Sequence, residues 1–325
     1  VANMLFLEEH VRAIRPALEA RRAHCDAMVG CVAASEIVKL TRLGDLDMAR
    51  PATGPMALLK RLRGKKGGQG SSGEGQMKML RRLPKILRFI PGKAQDLRAY
   101  FLTMQYWLAG SDENVANMVR FLVDRYAAGP RAALRGRVPA EAPVDYPDTG
   151  LYHPALPDRV TEALDDLPAR GGEGTVGLLL MRSYLLAGDT GHYDAVISAL
   201  EARGLRVVPA YAAGLDARPA ISAFFRKDGE TTVDAVLSLT GFSLVGGPAY
   251  NDASAAEETL AELDVPYLAA HALEFQPMPR WGSSAQGLSP VESTMMVAIP
   301  EIDGATGPIV FGGRGGGGVC EGCSR

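Results

Sequence analysis

Cysteine and long apolar runs are scarce in this sequence of 325 residues. Four cysteines are too few to hold a chain of this length together as a disulfide scaffold. No apolar run reaches the roughly 18 residues that a membrane-spanning helix needs. The formal net charge of −2 gives the whole chain no attraction to nucleic acid or anionic lipid. What remains is the composition of a globular protein, with 47% hydrophobic and 22% charged residues.

The beginning of the chain lacks the features of a targeting segment. It starts at Val1 rather than at methionine, and neither a basic start nor a signal cleavage site follows. These features predict a piece of a longer protein and a cytoplasmic location.

Nucleotide-binding motifs are missing as well. The sequence contains no G-x-x-x-x-G-K-[ST], and no G-x-G-x-x-G follows the first strand of the α/β region, which ends at Met181. We therefore predict that this chain does not hydrolyse ATP by itself.

The first 50 residues have the pattern of an incomplete α/β unit. A helix is predicted over 11–22, and the apolar run over 27–33 predicts a buried strand. Ser35 is the predicted N-cap of a helix over 36–42. Because only one strand is visible after the first helix, residues 1–50 are interpreted as the C-terminal part of an α/β unit.

Residues 51–130 are predicted to form a basic helical module. Apolar residues recur three to four positions apart over 77–90 and 94–109, which is the spacing of one helix face. Eleven lysines or arginines lie between Lys60 and Lys93, with a single acid among them. This run is either a solvated helix face or a docking surface for a carboxylated ligand, a partner protein or nucleic acid. Nucleic acid fits least, because exposed aromatic residues are not interleaved.

The remainder of the chain is predicted to be an α/β domain reached through a connector. Residues 131–170 are rich in proline and are interpreted as a connector with a helix. Over 171–325, strands alternate with helices, and a glycine-rich tail follows. Strands are predicted over 175–181, 206–211, 235–239, 266–270 and 308–311, and helices over 193–203, 220–226, 253–263 and 290–299. Such alternation predicts a doubly wound, mostly parallel, Rossmann-like sheet.

Ligands of an open parallel sheet bind beyond the C-terminal ends of its strands. Three predicted loops at such ends begin at Arg182, Thr240 and His271, and they offer a cation, two histidines, an acid and aromatic rings. The alternative is a structural role, in which Asp189 or Thr190 caps the following helix.

The cysteines divide into two groups. Cys25 and Cys31 lie beside or within an apolar run and are interpreted as small core residues. Cys320 and Cys323 form a C-x-x-C, which supplies two of the four ligands that zinc or an iron–sulfur cluster requires. Metal binding and a role without metal both stay open for this pair.

Several longer runs resemble a single protein family. They cover residues 80–96, 105–114, 148–154, 191–193, 200–204, 238–242, 244–249 and 308–314. In this order, and over nearly the whole chain, they resemble the H subunits of the magnesium chelatase and cobaltochelatase large-subunit family. The basic run L-P-K-I-L-R-F-I-P-G is similar to the magnesium enzyme. G-L-Y-H-P and L-E-A-R-G are shared with the cobalt enzyme, which stays the alternative.

The resemblance implies a subunit several times this length. It would bind protoporphyrin IX and Mg²⁺ as substrates and insert the metal for (bacterio)chlorophyll biosynthesis. ATP would be hydrolysed by two AAA+ type partners, the I and D subunits, in the cytoplasm or, in a phototrophic eukaryote, in the plastid stroma. The acids and the histidine that the family places near the porphyrin are expected beyond residue 325. No catalytic residue is therefore assigned here, and the piece alone is expected to be inactive.

A flat macrocycle with two propionates requires an apolar slot with cations at its rim. We predict that Arg182, His192 and Phe242 form part of one wall of that slot or of the mobile head that closes it, and His153 is a further candidate for substrate binding. Two other functions stay open. The chain could be a scaffold whose basic helices dock the ATPase subunits, or its α/β domain could hold a small ligand such as a sugar nucleotide.

Overall fold

The structure is a computed structural model that describes residues 2–4, 8–33, 35–50, 83–168, 172–247, 250–315 and 320–321. The chain divides into two compact units, Val1–Tyr146 and Pro147–Arg325. The boundary between the two units falls within the segment that the sequence predicts as a connector. The finer division into 1–50, 51–130, 131–170 and 171–325 stays a prediction.

The first unit combines short strands with longer helices. Its described elements are β1 (Ala2–Met4), α1 (Glu8–Arg22), β2 (Gly30–Ala33), α2 (Ser35–Val38), β3 (Arg42–Leu43), β4 (Leu46–Asp47), α3 (Lys93–Ala109), α4 (Asp112–Tyr126) and a 3₁₀ turn (Gly129–Leu134). The buried side chains of Leu43, Leu97, Phe101 and Met104 pack together as its core.

Two expectations for the first 50 residues were wrong. The predicted strand does not stand alone, because β1 pairs with β2 in parallel. The helix predicted over 36–42 ends at Val38 instead. Arg42 lies in an antiparallel hairpin with Asp47 and also bridges to Met28, so pairing between distant segments overrides the local helical spacing.

The helices of the basic region follow their sequence signals where they are described. Helical structure is present over 83–87, the described end of the helix predicted over 77–90. Helix α3 ends at Gly110, whose φ of 69° lies in the left-handed region that glycine tolerates. Ser111 caps α4, since its side chain accepts a hydrogen bond from the backbone N–H of Asn114 at 3.2 Å.

The second unit is built around one large sheet. Its described elements are β5 (Thr149–Tyr152), β6 (Val160–Thr161), a 3₁₀ turn (Leu164–Asp166), β7 (Thr175–Met181), α5 (Arg182–Leu186), α6 (Gly191–Glu201), β8 (Arg206–Ala212), α7 (Arg218–Phe224), β9 (Arg226–Lys227), β10 (Glu230–Thr231), β11 (Ala235–Ser238), β12 (Gly246–Gly247), β13 (Tyr250–Asn251), α8 (Ala253–Leu263), β14 (Tyr267–Leu273), α9 (Met278–Ser283), α10 (Pro290–Glu292), a π-helix (Ser293–Ala298), α11 (Ile299–Asp303), β15 (Thr306–Arg314) and β16 (Cys320–Glu321).

The order of strands in the sheet is β16-β15-β14-β11-β7-β8-β5-β6. The five central strands are parallel, whereas the edge strands β5, β6 and β16 are joined through antiparallel pairs. Apolar residues of β7 face both ways: Leu178 packs with Tyr193 of α6, and Leu179 packs in the cluster that contains Phe224 of α7. Helices therefore cover both faces, which confirms the predicted doubly wound, mostly parallel α/β fold.

Two segments of this unit differ from their expected structure. The proline-rich segment supplies β5 and β6, because Gly150 lets the backbone lie against the ring of Tyr211 on β8. The helix expected over 290–299 is irregular and passes through a π-helical turn before α11. Pro300 explains the irregularity, since its ring lacks an N–H donor and crowds the carbonyl group of Met296 one turn earlier.

Candidate functional site

The connections of the second unit reverse direction at β7. The chain passes from β7 to β8 on one side, and then crosses back to β11 on the other side of β7. The helices of these two connections, α6 and α7, pack on opposite faces of the sheet. A crevice therefore opens beyond the C-terminal ends of β7 and β11, the place where open α/β sheets bind their ligands.

A cleft lies at this switch point and is lined mainly by apolar side chains. Met181 at the end of β7, Leu215 and Leu244 contribute to its wall, together with Thr240 and Phe242 from the loop after β11. It is a shallow cleft that is partly open to solvent. An apolar wall with a few hydroxyl groups is typical of a small-molecule site.

The loop that carries Phe242 is held by its own backbone and by a distant acid. Gly241 has a φ of 77°, which turns the chain sharply just before Phe242. The backbone N–H of Leu244 donates to Asp303 Oδ2 at 2.7 Å, and the Leu244 carbonyl accepts from the Ala217 N–H at 3.0 Å. Phe242 is thus a half-buried side chain on a loop that is anchored on its C-terminal side.

Arg182 begins α5 directly after β7, and its guanidinium is buried. Its Nη1 lies 3.7 Å from Asp148 Oδ1, in the segment that leads into β5. Burial raises the pKa of Tyr211, which lines the cleft, and the positive charge of Arg182 opposes that rise in pKa. The cation therefore lies beside the cleft that Phe242 enters.

His192 lies in an aromatic cluster instead of in the cleft. It is buried in the first turn of α6, with the rings of Tyr184, Tyr193 and Phe311 around it. Its Nδ1 has no hydrogen-bond partner in the described part of the chain. Burial lowers the pKa of His192, although the charges of nearby carboxylates act in the other direction.

His153 has a partner at each ring nitrogen. Nε2 lies 3.1 Å from Glu201 Oε1 on α6, and Nδ1 accepts a hydrogen bond from the Ala155 N–H at 3.1 Å. These contacts join the turn after β5 to a helix. Phe242 therefore lines the cleft, Arg182 follows directly after the cleft-lining Met181, and neither His153 nor His192 is among the lining residues.

His271 lies inside a strand, which corrects its expected place in a loop. It pairs with Val310 of β15, so β14 continues to Leu273. The side chain is buried, and neither ring nitrogen has a partner among the residues that the structure describes. Burial lowers the pKa of His271 to about 4. No local signal in the sequence indicates this environment, since it depends on a strand about 40 residues away.

The structure offers no test of the C-x-x-C as a metal site. Cys323 lies outside the described residues, and for Cys320 only the backbone, which pairs with Arg314, is described. Within the described residues, no group of three or more His, Cys, Asp or Glu side chains could hold a metal ion. The described helices also include none that is long and apolar enough to cross a membrane.

The described end of the basic run forms an exposed tip in the first unit. Phe89 is 84% exposed and Ile86 is 62% exposed, with Lys85 and Arg88 exposed beside them. Apolar side chains presented together with cations are typical of a surface that binds an acidic partner.

Two family profiles match the chain. "CobN/Magnesium Chelatase" covers residues 104–322, and "Domain of unknown function (DUF3479)" covers residues 1–101. The magnesium-chelatase H subunit of Cereibacter sphaeroides is 61% identical over 99% of the chain, and that of Rhodobacter capsulatus is 56% identical over 100%. The chain spans 27% of the length of each of these relatives. Aerobic cobaltochelatase subunit CobN of a Sinorhizobium species is 30% identical over 40% of this chain and 10% of its own length.

Proposed function

Because the chain belongs to the CobN/magnesium chelatase family, we propose that it is part of the large subunit of a magnesium chelatase. In this proposal the complete subunit binds protoporphyrin IX and Mg²⁺ as substrates for (bacterio)chlorophyll biosynthesis. ATP is hydrolysed by partner subunits of the AAA+ type, I and D. The complex works in the cytoplasm, or in the plastid stroma of a phototrophic eukaryote.

The extent of similarity supports magnesium over cobalt as the metal. The match to the magnesium-chelatase relative from Cereibacter sphaeroides covers 99% of the chain at 61% identity. The match to the cobalt relative covers 40% of the chain at 30% identity. A cobaltochelatase subunit is therefore the weaker alternative.

The cleft at the switch point supports a role in holding one edge of the macrocycle. Its apolar wall and Phe242 suit a flat aromatic ring, which prefers offset or edge-on contact with another ring. Arg182 beside it suits a propionate, because a guanidinium forms two parallel hydrogen bonds to a carboxylate. The observation that carries this proposal is an apolar cleft lined by Phe242, with Arg182 directly after the cleft-lining Met181.

Metal insertion makes further demands that this part of the subunit does not meet alone. Mg²⁺ loses its water slowly and prefers oxygen ligands, and two pyrrole protons must be removed from the porphyrin. We assign the base and the metal-entry route to the part of the subunit beyond residue 325. The cleft contributes binding energy and orientation, which favour the distorted ring of the transition state.

The proposal is tested by porphyrin binding to the complete subunit. Phe242→Ala and Arg182→Ala are each expected to weaken protoporphyrin binding about tenfold, measured by fluorescence quenching, since each removes roughly 1.4 kcal/mol of contact. Phe89→Ala is the matched control, because Phe89 is an exposed aromatic residue (84%) that does not line the cleft. Unchanged affinity and turnover in both cleft variants would reject the cleft as the porphyrin site.

The exposed basic tip supports a second candidate function, which is docking of an ATPase subunit. Phe89→Ser combined with Lys85→Glu is expected to weaken binding of the partner subunit while protoporphyrin affinity stays unchanged. Val119→Ser is the matched control, because Val119 is an exposed apolar residue (53%) on α4. Equal partner affinity in the tip variant and the control would exclude the tip as a docking site. Arg81 and Arg82 belong to the same basic run but lie outside the described residues.

A further inference from the structure

We propose that Asp303 and Glu292 are positioning residues: one helical segment, Pro290–Asp303, holds two separate ligand-facing loops through a buried acid at each end. The first loop, 239–245, follows β11 and carries Phe242, and the second, 274–289, follows β14. This inference rests on the proposed function for the identity of the ligand. The contacts that hold the loops do not depend on it.

Asp303 holds the first loop. Its side chain is buried at the end of α11, and Oδ2 accepts the backbone N–H of Leu244 at 2.7 Å. Leu244 lines the cleft and is two residues from Phe242. A hydrogen bond from a backbone N–H to a buried carboxylate is stronger than one between neutral groups, so it restricts the loop strongly.

Glu292 holds the second loop in the same way. Its side chain is fully buried, and Oε2 accepts hydrogen bonds from Gln276 Nε2 at 2.5 Å and from the Ser289 N–H at 2.9 Å. Gln276 also donates to the Gly287 carbonyl at 3.2 Å, which ties the two ends of the loop together. The loop presents Phe275 and Trp281 on the same C-terminal side of the sheet.

Stability alone does not explain these two acids. Asp303 Oδ1 and Glu292 Oε1 are buried without a hydrogen-bond partner in the described ranges. A carboxylate with one unpaired buried oxygen stabilises the fold less than a fully hydrogen-bonded group would, although Glu292 also completes a capping box with Ser289. What each acid contributes is a defined position for a loop at the edge where ligands bind.

The segment between the acids is suited to keep them apart at a constant distance. Met296 is buried, and the π-helical turn in which it lies packs against β14. The segment that carries both acids therefore packs against β14 through its π-helical turn and against α8 through α11. We infer that the distance between Phe242 and the second loop is set by this segment.

Hydrogen exchange of the complete, ligand-free subunit tests the contacts directly. Asp303→Ala is expected to accelerate exchange of the Leu244 amide about tenfold, equivalent to roughly 1.4 kcal/mol, and to leave 274–289 unchanged. Glu292→Ala is expected to show the opposite pattern. Asp303→Asn and Glu292→Gln keep an accepting oxygen and are expected to restore most of the protection. Met296→Ala is the control, because it loosens the same segment without removing either acid.

Protoporphyrin titration then separates a positioning role from a merely structural one. Asp303→Ala is expected to weaken binding about tenfold in the parent protein and to cause no further loss in a Phe242→Ala background, since it acts through that ring. If Phe242→Ala weakens binding and Asp303→Ala does not, or if loop exchange is unchanged, the positioning role is overturned. If neither variant affects binding although loop exchange rises, the cleft fails as the porphyrin site.

Discussion

The two halves of the large sheet differ in whether their buried polar groups are hydrogen-bonded. On the β5–β6 side, the Tyr152 hydroxyl donates to Asp194, His153 has a partner at each nitrogen, and the buried Thr190 hydroxyl accepts from Arg159 at 2.9 Å. On the β14–β15 side, the Tyr267 hydroxyl and both nitrogens of His271 are buried without a partner among the described residues.

This difference separates polar residues that stabilise the fold from polar residues that serve the function of the protein. Most buried polar groups in proteins are hydrogen-bonded, because an unsatisfied one costs about 1–3 kcal/mol. The polar groups beside β5 and β6 meet that rule and stabilise the edge of the sheet, and His192 Nδ1 on α6 is an exception. The β14–β15 half departs from it beside the two acids that hold the ligand-facing loops. Departures of this kind concentrate where a fold sacrifices stability for function.

The largest expected effect is a loss of stability on acidification that comes from His271. Its pKa falls from an ordinary 6.5 to about 4 in the folded protein, because burial disfavours the charged ring. Between these two pH values the unfolded chain binds a proton that the folded chain does not. The free energy of unfolding should therefore decrease by about 3 kcal/mol in total as the pH falls from 6.5 to 4.

Urea denaturation across that pH range measures this contribution as the difference between the parent chain and His271→Leu. The leucine variant should be at least as stable as the parent at pH 7, since no hydrogen bond is lost. It should also lose less stability in acid. A constant difference between the two proteins from pH 7 to pH 4 would show that His271 is not buried in its neutral form.

A smaller effect is expected from the histidine of the other half. His153→Ala removes the partner of the largely buried Glu201 and should lower the free energy of unfolding by about 2 kcal/mol at pH 7. Urea denaturation of the single variants and of the double variant with Glu201→Ala measures the coupling between the two residues. If His153→Ala lowers the free energy of unfolding by no more than His271→Leu does, the contrast between the two halves of the sheet disappears.

The smallest effect concerns two tyrosine hydroxyls. Tyr152→Phe should cost about 1 kcal/mol, because the hydrogen bond to Asp194 is lost. Tyr267→Phe should be neutral or slightly stabilising, since its buried hydroxyl has no partner within the described residues. Thermal denaturation of both variants measures the difference. Equal losses would mean that Tyr267 acquires a partner in solution.

Much of the fold could be predicted from local patterns. The continuous apolar run over 175–181 predicted β7 with its observed bounds, and the apolar spacing over 253–263 did the same for α8. Local patterns failed where a distant partner decides the structure. Arg42 joins a hairpin, and β5 adds to a strand that lies about 60 residues later in the chain.

The candidate site could be predicted only in part. Arg182 and Phe242 were predicted from their positions after strands, and the structure places Phe242 in the cleft lining and Arg182 directly after the cleft-lining Met181. Whether they bind substrate stays a prediction, as does any role for His153 and His192. Asp303 and Glu292 were not predicted, because each looks like an ordinary helical acid until the loop that it holds has folded against it.

The sequence by itself determined the alternation of strands and helices, since hydrophobic spacing and caps act over a few residues. It also carried the resemblance to one family over nearly the whole chain. Only the tertiary structure decided that β11 lies beside β7, which opens the cleft between their ends. It alone decided which polar atoms are buried without partners, because burial and pairing depend on segments far apart in the chain.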